Sequence, residues 1–461
     1  MEIRTSDFHF FLKSISRPFQ SVAIFNSDFK CLHTKTSCSS NSVGLMSGLK
    51  ALKNFFPWSE SLVVAHNDSL LGCGGSNRIQ FLFSVESFHF AIEEVFNLPW
   101  DFSQKVIKIP PVPIVENRRI NIQLLENLTS QPDCPKEVNS LITKTIQKIE
   151  LFQLDFKRLL KANKNFSSKE LQKYFLSSSA QSALKSIKSK AYSSSQTEYE
   201  FAPLSNLKIK ASTSELGIRI DFQGTTSHNL IQMSDSTTDS ICFYFFADYF
   251  QFSDMMNDAT FALFQIAKPT QSFINSKNIS NKLYSDYCGP DLINQALMAC
   301  VVDRSSLKPY MIAKPHFQLQ NLNRTRQFAI PNAKPVGSMA VTNGFEILLN
   351  SRPTPGAESI PDYTEFADLG LEVKLCQLEF PSSKAKEVND YQNHLQFSCI
   401  NPVTFAFINP SFPAKLKLGK NKINFIAPTL SINGRRLTDP FATLNINPGD
   451  IIDIKTGYIE Q

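Results

Sequence analysis

A chain of 461 residues, 42% hydrophobic and 19% charged, has the composition of a folded globular protein and is long enough for two or three domains or one large unit. Its net charge of +6 is small for this length and scattered, which argues against nucleic-acid binding through a concentrated basic patch. Nine cysteines without a C-x-x-C pair support neither a disulfide nor a zinc framework, and reduced thiols in the cytosol are the expected state.

Two further features of composition matter. Sixteen glycines are about half the usual roughly 7%, whereas there are 39 phenylalanines. Packing is therefore expected to rest on aromatic bulk. The N-terminus, MEIRTSDFHFFLKSISRPF, has early acidic residues and only a short apolar run, unlike a signal peptide. The most apolar window, ICFYFFADYF from Ile241, is broken by Asp248, so no transmembrane helix is expected.

In chain order, QSVAIFNSDFK (residues 20–30) reads as two strands turning at Asn26-Ser27-Asp28. Val43 to Phe56 has helical spacing at Leu45, Leu49, Leu52 and Phe56. SLVVAHNDSLLGCGGSNRIQFLFSV, Ser61 to Val85, reads as two strands joined by a polar, glycine-bent loop, the kind of segment that often carries function. Lys105 to Val115 is extended because its prolines forbid a helix. A long helix begins near Cys134-Pro135, with Val138, Leu141, Ile142, Ile146, Ile149, Phe152, Phe156, Leu159 and Leu160 on one face. A second runs from Ser167, with Glu170 completing a capping box, toward Lys190. Serines at 177–179 mark its surface side, and Ser193 to Thr197 reads as an exposed linker open to proteolysis. Beyond Tyr199 the pattern is mostly strand-like, including LKIKAS, IRIDFQGT and the alternating Lys415-Leu-Lys417-Leu stretch. Asp291 to Val302 is the clearest helix there.

Within the glycine-bent loop each polar residue has a structural and a chemical reading. Asn67-Asp68 reads as an Asx-turn. The Gly72 to Gly75 run leads into IQFLFSV and not into a helix, unlike a phosphate loop. His66 reads as a structural histidine and Cys73 as a small packed thiol. Glu93 and Glu94 are adjacent and must point apart on a strand or helix. The chain has no G-x-S-x-G, H-E-x-x-H or Walker A sequence.

In fixed order along nearly the whole chain, these segments resemble the hydantoinase B/5-oxoprolinase family. SVAIFNSDFKCL (Ser21 to Leu32) is similar to its early strand pair, and NSVGLMSGL (Asn41 to Leu49) to its "HlGsM" segment. VVAHNDSLLGCGGSN (Val63 to Asn77) is similar to "v-NDPy-GGTH-pD". Ile107 to Pro132, Ile218 to His228 and Leu444 to Thr456 are similar to the "IPP", "DfsGTspq" and "pGD" segments. The resemblance implies a B-type subunit of an ATP-dependent enzyme that opens cyclic amides such as 5-oxoproline or hydantoins, or of a related carboxylase. It implies ATP on a hydantoinase A-type partner subunit and a divalent metal held by His and Asp residues.

The departures fall on those ligands. Aligning Gly74-Gly75 with the family's glycine pair puts Asn77 on the His and Gln80 on the Asp, while Phe96 and Asn97 fall on a later His pair. A divalent cation favours anionic oxygens or imidazole nitrogens, and amides and a phenyl ring offer neither. The expectation is a vestigial site of Asn67, Asp68, Asn77, Gln80, Phe96 and Asn97, converging without metal, with Phe96 filling the space of an imidazole.

The fold class expected is α+β, packed as one unit over 1–461: a mixed α/β part at 1–132 with the site loop, a helical section at 133–198 and a β-rich part at 199–461. The function expected is a divergent, catalytically impaired subunit in the cytosol, binding no cofactor itself. Its partner would be an A-type ATP-binding subunit, an active B-type subunit or both, with neither nucleic acid nor membrane involved. Two alternatives stay open: an active ATP-dependent cyclic-amide hydrolase, and a free-standing binding module on the same fold.

Overall fold

The computed structural model describes residues 14–36, 41–73, 78–95, 108–131, 134, 137–162, 168–189, 195–201, 205–228, 231–277, 316–320, 325–329, 357–359, 363–377, 393–408, 414–418, 421–437 and 441–460, together with 289–290, 292–294, 296–297 and 300. The fold is α+β, with three sheets and interleaved helices.

The first sheet is a seven-stranded antiparallel array. Its strands are β1 (Ser21–Phe25), β2 (Cys31–Lys35), β3 (Val63–His66), β4 (Arg78–Val85), β5 (Phe88–Val95), β6 (Val112–Glu116) and β7 (Arg119–Ile120). Their order is β2-β1-β5-β4-β3-β6-β7. The β1–β2 turn forms where Asn-Ser-Asp predicts it: Asn26 Oδ1 accepts from the backbone N–H groups of Asp28 and Lys30 at 3.1 and 2.8 Å. Helix α1 (Ser42–Leu52) covers one face, and it stops short of the expected Phe56. Phe55, beyond its end, is exposed.

After the short helix α2 (Ile122–Thr129) comes α3 (Glu137–Ala162), which covers the other face of the sheet. The predicted stripe is the buried one: Val138, Ile142, Ile146, Ile149, Phe152 and Phe156 enter the core, with Leu141, Leu159 and Leu160 at its margin. Helix α4 (Ser168–Ser189) follows, its N-terminal residue Ser167 lying outside the described residues. Its serines are not all on the surface. Ser179 is buried because its hydroxyl accepts from Asn257 Nδ2 at 2.9 Å.

The second sheet contains ten strands. The first of them, β8 (Ser195–Phe201), already includes residues 195–197, so three of the five residues of the expected linker are in a strand hydrogen-bonded to β9 (Ser205–Ser214). Strand β10 (Gly217–Asp221) follows as read from IRID. The next segment departs from the β-like reading. Asp235–Tyr249 is helix α5, opened by Ser234, whose hydroxyl accepts from Thr237 N at 3.2 Å. Its apolar residues run all round because the helix is buried on most sides. Ile241, Cys242, Phe243, Phe245, Phe246 and Ala247 are all in the core.

After α6 (Asp258–Phe261) comes β11 (Phe264–Ala267), which pairs in parallel with β10. The helix read at Asp291 to Val302 is present from residue 289 to 300 where the chain is described. Strands β12 (His316–Gln320), β13 (Thr325–Ala329) and β14 (Ala357–Ser359) belong to a third, five-stranded sheet. Helix α7 (Tyr363–Asp368) is followed by β15 (Leu371–Gln377), β16 (Asn393–Cys399), β17 (Val403–Ile408), β18 (Ala414–Leu418), β19 (Asn421–Ile432), β20 (Arg435–Leu437), β21 (Phe441–Ile446) and β22 (Ile451–Glu460).

One apolar core joins the α1 face of the first sheet to α5, β9, β10 and Leu292, Ile293, Ala296, Leu297 and Cys300. A second lies between the other face and α3, and a third surrounds α7, β15, β16 and β22. Among the described residues the largest fully buried side chains are phenylalanines, Phe25, Phe81, Phe90 and Phe246 among them, each worth about 1.5–3 kcal/mol of transfer free energy. Among the described residues six cysteines are free thiols, and no helix is long and apolar enough to cross a membrane.

Candidate functional site

The loop between β3 and β4 is held by its own polar residues. Asn67 clamps Ile109: its backbone N–H donates to the Ile109 carbonyl at 3.0 Å, and its Oδ1 accepts from Ile109 N at 2.8 Å. Asp68 makes the Asx-turn. Its Oδ1 accepts from Leu70 N at 2.9 Å and opens a 3-10 turn, Ser69–Leu71. Gly72 ends that turn at φ +95°, a conformation that suits glycine. The buried Cys73 thiol donates to the Arg78 carbonyl at 3.4 Å and is a packing residue.

Helix α1 lies against this loop because Gly44 and Gly48, four residues apart, share one face. The Gly72 carbonyl abuts Gly44, and a Cβ on Gly48 would stand 2.6 Å from the Leu71 carbonyl. The first turn of α1 is capped from outside. Ser240 Oγ on α5 accepts from Val43 N and Gly44 N at 2.9 and 3.2 Å.

Beneath α1 the sheet carries a row of polar residues. Ser21, Glu93, Gln80 and His66 stand directly opposite one another across β1, β5, β4 and β3. Directly opposed residues share a sheet face. All four are buried. A Cβ on Gly48 would lie 2.9 Å from Gln80 Oε1 and 3.5 Å from His66 Nε2, which puts both side chains under the helix. Arg78, two residues before Gln80, points to the same face. Its guanidinium forms a buried ion pair with the Glu93 carboxylate. Glu94 points the opposite way, as adjacent strand residues must, and pairs with Lys148 of α3 at 2.6 Å.

Two carboxamides in this layer are incompletely satisfied. Gln80 Nε2 donates to the Gly72 carbonyl at 2.9 Å, but its Oε1 has no hydrogen-bond partner among the described residues. Both amide atoms of the buried Asn41, at the start of α1, likewise lack one among the described residues. His66 Nδ1 accepts from Asp68 N at 3.3 Å. The donors and acceptors here are mainly neutral. Among the described residues no group of three His, Cys, Asp or Glu side chains converges on one point. The one carboxylate in the row is committed to a guanidinium. This set does not fit a divalent cation, which favours anionic oxygen and imidazole ligands.

Of the site residues named from the sequence, Asn67, Asp68 and Gln80 are thus placed in or beside this layer. Asn77, Phe96 and Asn97 lie outside the described residues, as do Gly74, Gly75 and Ser76. Arg78, Glu93 and Ser21 were not picked out as a constellation. Their association comes from strand register: β4 and β5 pair Gln80 with Glu93 across a turn at Glu86-Ser87, with Glu86 at φ +52°.

Neither a protein-family model nor a curated protein sequence matches the chain. Solved structures do. The fold is similar to that of an ATP-dependent caprolactamase from Pseudomonas jessenii, with a TM-score of 0.68 at 9% identity over 98% of this chain and 88% of that one. It is also similar to a nucleotide-free acetone carboxylase, from work on ATP-dependent acetone carboxylation, with a TM-score of 0.64 at 10% identity over 95% of this chain and 70% of that one. The chain shares its fold with these proteins.

Proposed function

We propose that the chain is a divergent B-type subunit of the hydantoinase/5-oxoprolinase kind, without metal chemistry of its own. It would serve as a partner in an ATP-dependent cyclic-amide hydrolase or carboxylase complex. The observation that carries this reading is the combination of a fold similar to the ATP-dependent caprolactamase over 98% of the chain with an amide, Gln80, where the resemblance calls for a ligating Asp. That amide binds the Gly72 carbonyl. The neighbouring carboxylate, Glu93, is neutralised by Arg78, and charges so paired in a buried layer are not available to a metal without loss of the pair. In this reading ATP binds an A-type partner subunit, and the complex works in the cytosol.

Two measurements test it. Metal analysis of the purified chain should find no stoichiometric transition metal, and a full equivalent of tightly bound metal would sink the metal-free half. Mild affinity isolation from native cells should recover an ATP-binding A-type subunit or an active B-type subunit. Recovery of the chain alone would reject the partner half.

A further inference from the structure

We propose that helix α1 has two alternative N-caps, Ser240 of α5 in the state described and its own Asn41 in reserve, so that its first turn can leave α5 without losing a cap. Three observations carry this. First, Asn41 stands at the N-cap position of α1 but its side chain makes no capping hydrogen bond. An N-cap side chain ordinarily accepts from the N–H groups of the second and third helical residues, here Val43 and Gly44. Both donate instead to Ser240 Oγ, at 2.9 and 3.2 Å. Second, the Asn41 carboxamide lies beside the same turn. The residue is fully buried, and its Oδ1 is 2.7 Å from where a Cβ on Gly44 would stand. Neither amide atom has a hydrogen-bond partner among the described residues. Third, the backbone of Asn41 explains why it does not cap. Asn257, extended at φ −162° and ψ −177°, accepts from Ala259 N and Thr260 N, the second and third residues of α6. Ser234, at ψ 158°, caps α5. Asn41 has φ −129° and ψ 0°, outside the extended region that capping residues adopt. One dihedral, ψ of Asn41, separates the two states.

The exchange is close to balanced. Ser240 Oγ donates to the Ser236 carbonyl at 2.7 Å, a bond within α5 that survives when α1 leaves. The helix gives up its bonds to Ser240, including the one from Ser42 Oγ to the Ser240 carbonyl at 3.2 Å. In return a buried carboxamide gains the partners that its burial demands. The consequence reaches the site loop. A Cβ on Gly44 would stand 2.0 Å from the Gly72 carbonyl oxygen, so the first turn of α1 and the end of the loop must move together. Helix α5 lies between β10 and β11 of the second sheet, whereas α1 and the loop belong to the first. Cap exchange is thus a small slide of one packed helix on another, and it sets whether the loop is tied to α5.

The test is a double-mutant cycle on the full chain, read by hydrogen exchange of the Val43 and Gly44 amides with residue-level mass spectrometry. Exchange of these amides reports local opening of the first turn. Ser240→Ala removes the present cap and Asn41→Ala the reserve. Each alone should leave exchange within about twofold of wild type, because one cap remains or takes over. The two together leave no cap, and exchange should exceed the product of the single effects by about fivefold or more. Independent effects that simply multiply overturn the proposal. So does a Ser240→Ala variant that exchanges as fast as the double. A crystal structure of Ser240→Ala decides the matter even where the double variant does not fold. Asn41 at extended ψ, with Oδ1 on Val43 N or Gly44 N, supports the proposal. Asn41 unmoved, with those amides left to water or to another group, overturns it.

Discussion

The two faces of the seven-stranded sheet both carry apolar core, but they differ in what they bury beside it. On the α3 face, Phe83 and Phe90 meet Phe152 at 6.0 and 5.1 Å between ring centroids, and Phe88 and Phe90 meet Phe156 at 5.5 and 5.2 Å. Phe19 adds an edge contact to Phe152 at 4.9 Å. Among the polar groups on that side, Glu94 reaches Lys148, whose ammonium also lies 5.0 Å from the Phe19 ring centroid. On the α1 face the same strands bury Glu93, Gln80, His66 and Arg78 beneath a helix with two glycines turned toward the site loop. Burying apolar rings is favourable without further conditions, whereas burying polar groups is tolerated only where each finds a partner. The α3 face therefore supplies stability, and the α1 face keeps a polar layer that stability alone does not explain.

The largest effects should come from breaking either face at its centre, and the two losses should differ in kind. Phe152→Ala removes the ring at the hub of the aromatic cluster and should cost about 3–5 kcal/mol. Arg78→Met takes the guanidinium away from the buried Glu93 carboxylate and should cost about the same. The double change Arg78→Met with Glu93→Leu should regain most of that loss, since replacing both partners of a buried pair is often neutral or stabilising. Denaturant unfolding of the three variants checks this. Absence of recovery in the double variant would mean that the pair is held by more than mutual neutralisation.

A smaller loss should follow Gly48→Ala. The added Cβ would stand 2.6 Å from the Leu71 carbonyl and 2.9 Å from Gln80 Oε1, so the helix must lift off the loop. About 1–3 kcal/mol is expected from overpacking. Thermal unfolding no different from wild type would show that the helix and loop do not sit this close.

Acidification probes the same face at its far end. Burial pushes the His89 imidazole down to about 4, where the ring stacks on Phe29 at 4.1 Å between centroids and Ser84 Oγ lies 2.7 Å from its Nδ1. The unfolded chain binds a proton near pH 6.5 that the folded chain refuses until about pH 4. This contribution to stability is therefore fully present above pH 6.5 and is lost as the pH falls toward 4. The ring is part exposed, and screening trims the effect to about 1–2 kcal/mol. His89→Phe should flatten this part of the pH profile. An unchanged profile would place the titration elsewhere.

Much of the first sheet can be read directly from residue pattern, because strand alternation and the stripe of α3 are local signals. The turn at Asn26, the Asx-turn at Asp68 and the divergence of Glu93 from Glu94 follow from single-residue chemistry. Helix α5 does not. Its phenylalanines surround the axis, and a helix buried all round loses the amphipathic period that would distinguish it from a strand. The row of Glu93, Gln80 and His66 is hidden for another reason. It depends on register, and the β4–β5 turn at Glu86-Ser87 lacks the Asn-Gly or Gly-rich signature that fixes register from sequence.

Gln80 should matter least to stability of all the positions named here. Among the described residues its amide makes one hydrogen bond, from Nε2 to the Gly72 carbonyl, and leaves Oε1 buried without a partner. Gln80→Met keeps the length and shape of the side chain. It forfeits the bond to Gly72, worth about 1 kcal/mol, and removes a desolvated oxygen whose burial costs about 1–3 kcal/mol. The two terms oppose each other, so unfolding free energy should change by less than about 1 kcal/mol in either direction. A loss well above 2 kcal/mol, on the order of a buried network broken, would show that the amide is a structural keystone. A near-neutral result leaves stability unable to explain why a polar side chain sits at the centre of this layer.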